Sequence, residues 1–311
     1  MVFKIKYVPL RVINRDNMNK KRSTKTILTI AVVIAVIVVA ILWHYQTTLK
    51  KETMRRTEQM LEKTAMRATG YLNEVETVTR NMKWLVARNM QPDSLLAYTH
   101  RIVELNPNLN GCSITTEPDY FPKLGHNFSA YTVRQGDKIV TEIEGEYDYY
   151  SKDWYRNPRM AGKAVWVDPY DDFNEAGTLS SSEKIASYSM PLYAADSSFI
   201  GVISTDLSLP MLSKAITDEL PCEGAYYMMT GKSGNFLVYP DKDKLVYHTI
   251  FDGVNPRLQS DMITLGNEMV KGHKGNMSVN FDGEQCLVFY QPITLTGWSI
   301  ALVCPERNFY W

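Results

Sequence analysis

The chain has 311 residues, 45% of them hydrophobic and 22% charged, with equal numbers of basic and acidic side chains. That length suits about two domains of ~150 residues each, and that balance excludes an intrinsically disordered chain. The neutrality hides an asymmetry: residues 1–25 hold eight Lys or Arg against one acid, leaving 26 basic and 33 acidic residues beyond them. A net −7 in the larger part speaks against nucleic acid as a partner.

Residues 1–25 read as a cytoplasmic basic tail because they abut a long apolar run. That run, TILTIAVVIAVIVVAILW at residues 26–43, carries no charge, Gly or Pro. A bilayer core of ~30 Å takes roughly 17–25 such residues as a helix, and Lys and Arg gather on its cytoplasmic side. A transmembrane helix is therefore expected over 26–43, with Trp43 and Tyr45 at the far interface and the rest of the chain outside. A cleaved signal peptide needs a shorter apolar core and a small-residue cleavage site, which Ile41-Leu42-Trp43-His44-Tyr45 does not offer.

Residues 44–91 are expected to form a long signalling helix ending near Gln91-Pro92. Leu61, Ala65, Ala68, Leu72, Val75, Thr79, Met82 and Val86 recur at alternating spacings of four and three, a heptad-like seam. Its distal half should pack on the chain's own domain. Its membrane-near half has little apolar material of its own, which opens a route to a homodimer through a parallel partner helix.

From Leu95 onward short β-rich runs dominate. Strands are predicted at 111–116, 129–134, 139–145, 163–169, 185–193 and 199–208, followed by a helix over 209–220. A second, shorter round gives strands at 225–230, 236–240, 276–281, 286–293 and 298–305, with a helix over 260–272 and a hairpin at Asp282-Gly283. Two antiparallel sheets of about five strands, each with helices on one side, make the fold class α+β. The strand–helix alternation of a parallel hydrolase sheet is missing.

The segment YDYYSKDWYRNPRMAGKAVWVDPYDDF, residues 147–173, sets seven Tyr and Trp beside a run of acids. A core uses aromatics without asking for the acids; a pocket for a small charged ligand uses both. An α-amino acid carries a carboxylate and an ammonium a few ångströms apart. Trp154 offers an indole N–H and Lys152 a cation to the first. Asp172 and Asp206 can meet the second, with Tyr147, Tyr155 and Tyr170 as cation–π walls. Each residue also has a plainer role: Trp154 and Trp166 as sheet packing, Asp172 as a turn residue, Lys152 as a solvated charge, Asp206 as the cap of the helix near Leu209 in competition with Ser208.

In order and spacing, KDWYRNP (152–158), GVISTDLSLPML (201–212), GKSGNFLVYPDKDK (231–244) and FYQPITLTGWSIALVCP (289–305) resemble the double Cache family of bacterial extracytoplasmic sensors. The likeness covers roughly residues 45–305. It implies an N-terminal transmembrane helix continuing into a long helix, then two tandem PAS-like domains. These would be a membrane-distal, ligand-binding one over 92–215 and a membrane-proximal one over 216–305, with 306–311 starting a second span. It also implies the family's amino-acid pattern, Tyr-x4-Arg-x-Trp-Tyr, then Tyr-x-Asp, then a later Asp. Tyr147, Lys152, Trp154, Tyr155, Tyr170, Asp172 and Asp206 follow it, with Lys152 where the pattern has Arg and Pro158 where it has a small residue. Lysine lacks the planar fork of Arg, so amine or other carboxylate ligands join amino acids as expected ligands.

The resemblance thus implies the sensing region of a transmembrane receptor in a bacterial inner membrane, periplasmic outside its span. A cytoplasmic kinase, phosphatase, cyclase or chemoreceptor output would lie beyond the chain. The chain itself is expected to be non-enzymatic and to need no cofactor or metal. The competing readings are a partner-binding or adhesion module and an extracytoplasmic hydrolase. Against the hydrolase, Gly231-Lys232-Ser233-Gly234-Asn235 lacks the second Gly of a nucleophile elbow. Asp168, Asp171, Asp172 and Glu175 lack the loop spacing of a calcium site. Cys112, Cys222, Cys286 and Cys304 show no zinc spacing and are either disulfide partners or small buried side chains.

Overall fold

The computed structural model describes residues 15–144, 148–171, 179, 181, 183–217, 219–281 and 283–309, with side chains from Lys25 onward except at Asp171. The chain divides into two compact units, residues 1–55 and 56–311. Helix α1 spans Arg15–Arg88. In the first unit its apolar run is exposed throughout. It is the one helix among the described residues long and apolar enough to cross a membrane.

The second unit holds two antiparallel sheets, as the alternating runs predict. The first is built from β1 (Leu109–Thr116), β2 (Ser129–Gln135), β3 (Lys138–Glu144), β4 (Val165–Asp171), β5 (Lys184–Tyr193) and β6 (Phe199–Ser208) in the order β3-β2-β1-β6-β5-β4. The second comprises β7 (Tyr226–Thr230), β8 (Phe236–Val238), β9 (Gly275–Phe281), β10 (Glu284–Ile293) and β11 (Trp298–Pro305) in the order β8-β7-β11-β10-β9. Helices α2 (Pro92–Leu105), α3 (Asp153–Ala161), α4 (Leu209–Ile216), α5 (Ser260–Val270) and α6 (Glu306–Phe309) complete the α+β fold.

The seam of α1 faces both sheets. Leu61, Ala65, Ala68, Leu72, Val75, Thr79 and Val86 are buried and Met82 is half-buried. Thr64 Oγ1 donates to Tyr227 Oη of β7 at 3.0 Å, and the hydroxyls of Thr79 and β6 Thr205 lie 2.6 Å apart. The heptad-like repeat from Leu61 to Val86 therefore serves the chain's own core. Small residues at Ala65 and Ala68 let the helix approach closely, while threonines satisfy the polar atoms it meets there.

Two helices escape the sequence pattern. α2 begins at Pro92, where a missing N–H costs nothing, and buries Leu95, Thr99, Ile102 and Val103 on one face. α3 carries the KDWYRNP motif in only nine residues with Pro158 inside, so its period is too short to read. It stops at Gly162, which takes the left-handed φ of +63° that a side chain disfavours. α4 ends at Ile216, short of the predicted 220, and Ser208 caps it: its Oγ accepts from Met211 N at 3.1 Å. Asp206 is thereby released from the capping role.

Candidate functional site

The site grows from strand register. Directly opposed residues of antiparallel strands share one face. Ser187 of β5 opposes Asp206 of β6, which opposes Gly111 of β1. The neighbouring row runs Ser189, Ser204, Ser113 and Tyr131. Val165 and Val167 of β4 extend the same face beside Ser189 and Ser187. The first sheet thus has a polar floor along its centre. Its other face, with Trp166, Tyr188, Thr205, Cys112 and Thr132 in register, is the one that meets α1 and α2: Thr205 bonds Thr79, and Thr132 donates to Thr99 at 2.8 Å.

Asp206 is 4% exposed and forms the negative pole of the floor. Ser187 Oγ donates to its Oδ1 at 2.6 Å and Tyr131 Oη to its Oδ2 at 3.3 Å. Tyr170 Oη lies 2.6 Å from Ser187 Oγ, so β4 is tied to the carboxylate through one hydroxyl. Gly111 is required opposite it, because a Cβ there would stand 2.6 Å from Asp206 Oδ2. Beneath the floor, burial and then the Asp206 charge push the Cys112 thiol well up. All four cysteines are free thiols, with Cys112, Cys286 and Cys304 buried.

Helix α3 packs over this floor and supplies the aromatic wall. Trp154, Tyr155, Tyr149, Val167 and Val202 form one buried cluster, with Tyr170, Tyr150, Val165 and Phe199 against it. Buried indoles ordinarily find an acceptor. Trp166 Nε1 donates to Glu76 at 2.8 Å and Trp298 Nε1 to Asp168 at 2.9 Å. The Trp154 indole N–H, by contrast, has no hydrogen-bond partner among the described residues. Tyr155 is a pin rather than an open hydroxyl: its Oη donates to Glu117 Oε1 at 2.8 Å, and burial, then that bond, holds its phenol far above the ordinary range.

Lys152 is the half-buried residue preceding α3, its N–H bonded to Tyr149 O at 3.0 Å. Neither nearby arginine stands in for it. Arg156 pairs with Asp153 on its own helix at 2.7 Å, and Arg159 with Glu117 at 2.9 Å while stacking over Tyr150. The structure therefore brings Trp154, Tyr155 and Tyr170 into one cluster and joins Tyr170 to Asp206 through Ser187. Tyr147 and Asp172 lie outside the described residues, as does Glu175 of the acidic run weighed as a calcium site. Among the described residues no cluster of three or more His, Cys, Asp or Glu could hold a metal.

Sequence reasoning missed Tyr131, Ser187 and Gly111. The signal was present in β5, where Ser187 and Ser189 occupy alternate positions that share a face. It becomes readable only once the register with β6 is known. The sequence also could not show that β4 serves both sheets. Tyr170 reaches the floor, while Asp168 accepts from Trp298 of β11, and Trp166 meets Trp298 edge-on at 5.4 Å.

A long helix laid along two tandem antiparallel sheets, one with an acid-bearing floor under an aromatic helix, defines an extracellular sensor fold. The chain belongs to the Cache domain family, whose double-domain model matches residues 45–310. It is similar to the extracellular domain of mmHK1S-Z3, a proposed histidine kinase, with a TM-score of 0.70 and 19% identity over 83% of this chain and 96% of that one. It is also similar to the ligand-binding domain of the Pseudomonas aeruginosa PAO1 amino acid chemoreceptor PctB in complex with L-Arg, at 0.58 and 21% over 80% and 93%. The ligand-binding domain of the Campylobacter jejuni chemoreceptor Tlp3 with L-norvaline matches at 0.58 and 14% over 83% and 92%. At these identities the likeness is one of fold.

Proposed function

We propose that this chain is the sensing region of a bacterial transmembrane receptor that binds a small amino-acid-like, amine or carboxylate ligand on the floor of its first sheet. The observation that carries the reading is the pairing of opposite capacities in one place. The buried Asp206 carboxylate accepts from Ser187 and Tyr131, and the Trp154 indole, in the cluster against which Tyr170 packs, has its donor uncommitted. An ammonium suits the first and a carboxylate the second. Lys152, Tyr147 and Asp172 are proposed to complete the set. Chemoreceptor domains of this fold that carry amino acids support the ligand class.

In this reading residues 92–215 form the membrane-distal ligand-binding domain and 216–305 the membrane-proximal one. The helix over 26–43 crosses the inner membrane, the two domains are periplasmic, and the output is cytoplasmic. Occupancy moves the receptor only by its differential affinity for two arrangements. A homodimer gives the membrane-near part of α1 a partner; cysteine cross-linking at Thr48 in membranes would trap it, and monomer alone would refute it.

The test is a thermal-shift screen of the full chain in detergent against amino acids, amines and small carboxylates. At least one compound should raise the melting temperature, and Asp206→Ala should abolish the shift. Asp119→Ala should retain it, since the Asp119 carboxylate pairs with exposed His126. A screen with no shift, or a shift that survives Asp206→Ala, rejects the reading.

A further inference from the structure

The second sheet holds a cavity of about 100 Å³ between β8, the segment 242–254, the start of α5 and the end of β9. We infer that it is a separate binding site for a small monocarboxylate with a short apolar tail. The inference stands apart from the ligand proposed for the first sheet.

The apolar wall is aromatic. Phe236 and Tyr239 lie 4.4 Å apart, and Tyr226 links Tyr239 to Phe281 edge-on at 5.9 and 6.5 Å. A cavity of ~150 Å³ lined by aliphatic and aromatic groups takes benzene, so this one suits a ligand of about four to six heavy atoms.

The polar side is lined by donors. Asp252, its one carboxylate, already accepts from Thr249 N at 3.0 Å and Thr249 Oγ1 at 2.8 Å and lies 3.4 Å from His248 Nδ1. Asn280 Oδ1 is taken by Gly283 N at 2.7 Å, and Gln259 Oε1 by Asn255 N at 2.9 Å. Both amides are left with their NH2 groups uncommitted. Lys244 Nζ rests 5.4 Å from the Tyr239 ring and has no carboxylate partner among the described residues. Backbone N–H groups have thus consumed the amide acceptors, leaving an ammonium and two amide donors. That set fits a carboxylate and offers no free acid to the ammonium of an amino acid.

The segment is also held in a demanding shape. Val246, β-branched, sits at φ +74°, a conformation that persists only where its surroundings fix it. Here they do: Val246 N donates to Phe236 O, His248 N to Lys244 O and Phe236 N to His248 O, all within 3.0–3.1 Å. Lys244 and His248 are therefore pinned to β8.

The test titrates the full chain in nanodiscs with sodium propionate by calorimetry, against propionamide and sodium chloride as controls. Saturable propionate binding is expected, with neither control competing. Lys244→Met should weaken it by about tenfold or more, and Asn280→Asp, which keeps the Gly283 contact but sets an acid at the wall, should do the same. Asp206→Ala should leave it intact, which separates this site from the first sheet. Circular dichroism melts of each variant establish folding. No saturable binding, equal competition by chloride, binding unchanged in both folded variants, or loss on Asp206→Ala would each overturn the inference.

Discussion

Apart from the extra edge strand β3 of the first, the two sheets share a strand order and differ in what lies on one face. In the second sheet, Met228, Phe236, Val279, Val288, Ala301 and Val303 join Leu265 and Met269 of α5 in an apolar core. In the first, the central strands place Ser187, Ser189, Ser204, Asp206 and Ser113 on the face that α3 covers. Burying hydroxyls and a carboxylate costs free energy that an apolar face would recover. That polar strip, under the Trp154–Tyr155 cluster, is where the proposed ligand would lie. The second sheet keeps its core and confines its polar donors to a cavity at one end.

The sharpest way to break that contrast is Asp206→Ala. It should eliminate ligand-induced stabilisation in the thermal-shift screen while leaving propionate binding at the second sheet unchanged. Loss of both would mean the sites are one. Next in size, Gly111→Ala should cost ~1–3 kcal/mol by overpacking, because its Cβ would meet Asp206 Oδ2 at 2.6 Å and Thr132 O at 3.2 Å. Denaturant unfolding reads the cost, and the displaced carboxylate should weaken ligand binding as well.

Trp298→Phe keeps an aromatic ring, though a smaller one, and removes the indole N–H that reaches Asp168 across the two sheets. A hydrogen bond to a charged group contributes about 1.5–3 kcal/mol. Fluorescence and far-ultraviolet dichroism should then report separate unfolding transitions; coincident transitions would show that this contact does not couple the sheets. Ser208→Ala deletes the cap of α4 and should cost ~1 kcal/mol by the same measurement.

The smallest effect is one of pH. The two Thr249 bonds hold the Asp252 carboxyl below its ordinary 3.8. A depressed folded value contributes stability that is full above the unfolded value and fades as pH falls through the folded one. Amide exchange over residues 242–254 should accelerate below pH 3.8, and Asp252→Asn should remove that acid dependence while leaving the first sheet unaffected.

Much of this was legible in the chain. The apolar run predicted a helix long enough to cross a membrane, the alternating runs predicted strands, and β6 was predicted residue for residue, because periodicity is a local property. Trp154, Tyr170 and Asp206 were named as candidates by the resemblance to the family's pattern, with residue chemistry in agreement. Tyr131, Ser187 and Gly111 could not be named, since nothing along the chain says that Ser187 opposes Asp206 or that a side chain at 111 would collide with it. The same holds for the Leu61–Val86 seam, which reads alike for a partner helix or for the chain's own sheets until the sheets are in place. Composition and period thus determined the apolar segment, the long helix and the α+β class. Only tertiary structure decided which polar groups converge, because hydrogen bonds and steric exclusion act between strands distant in sequence.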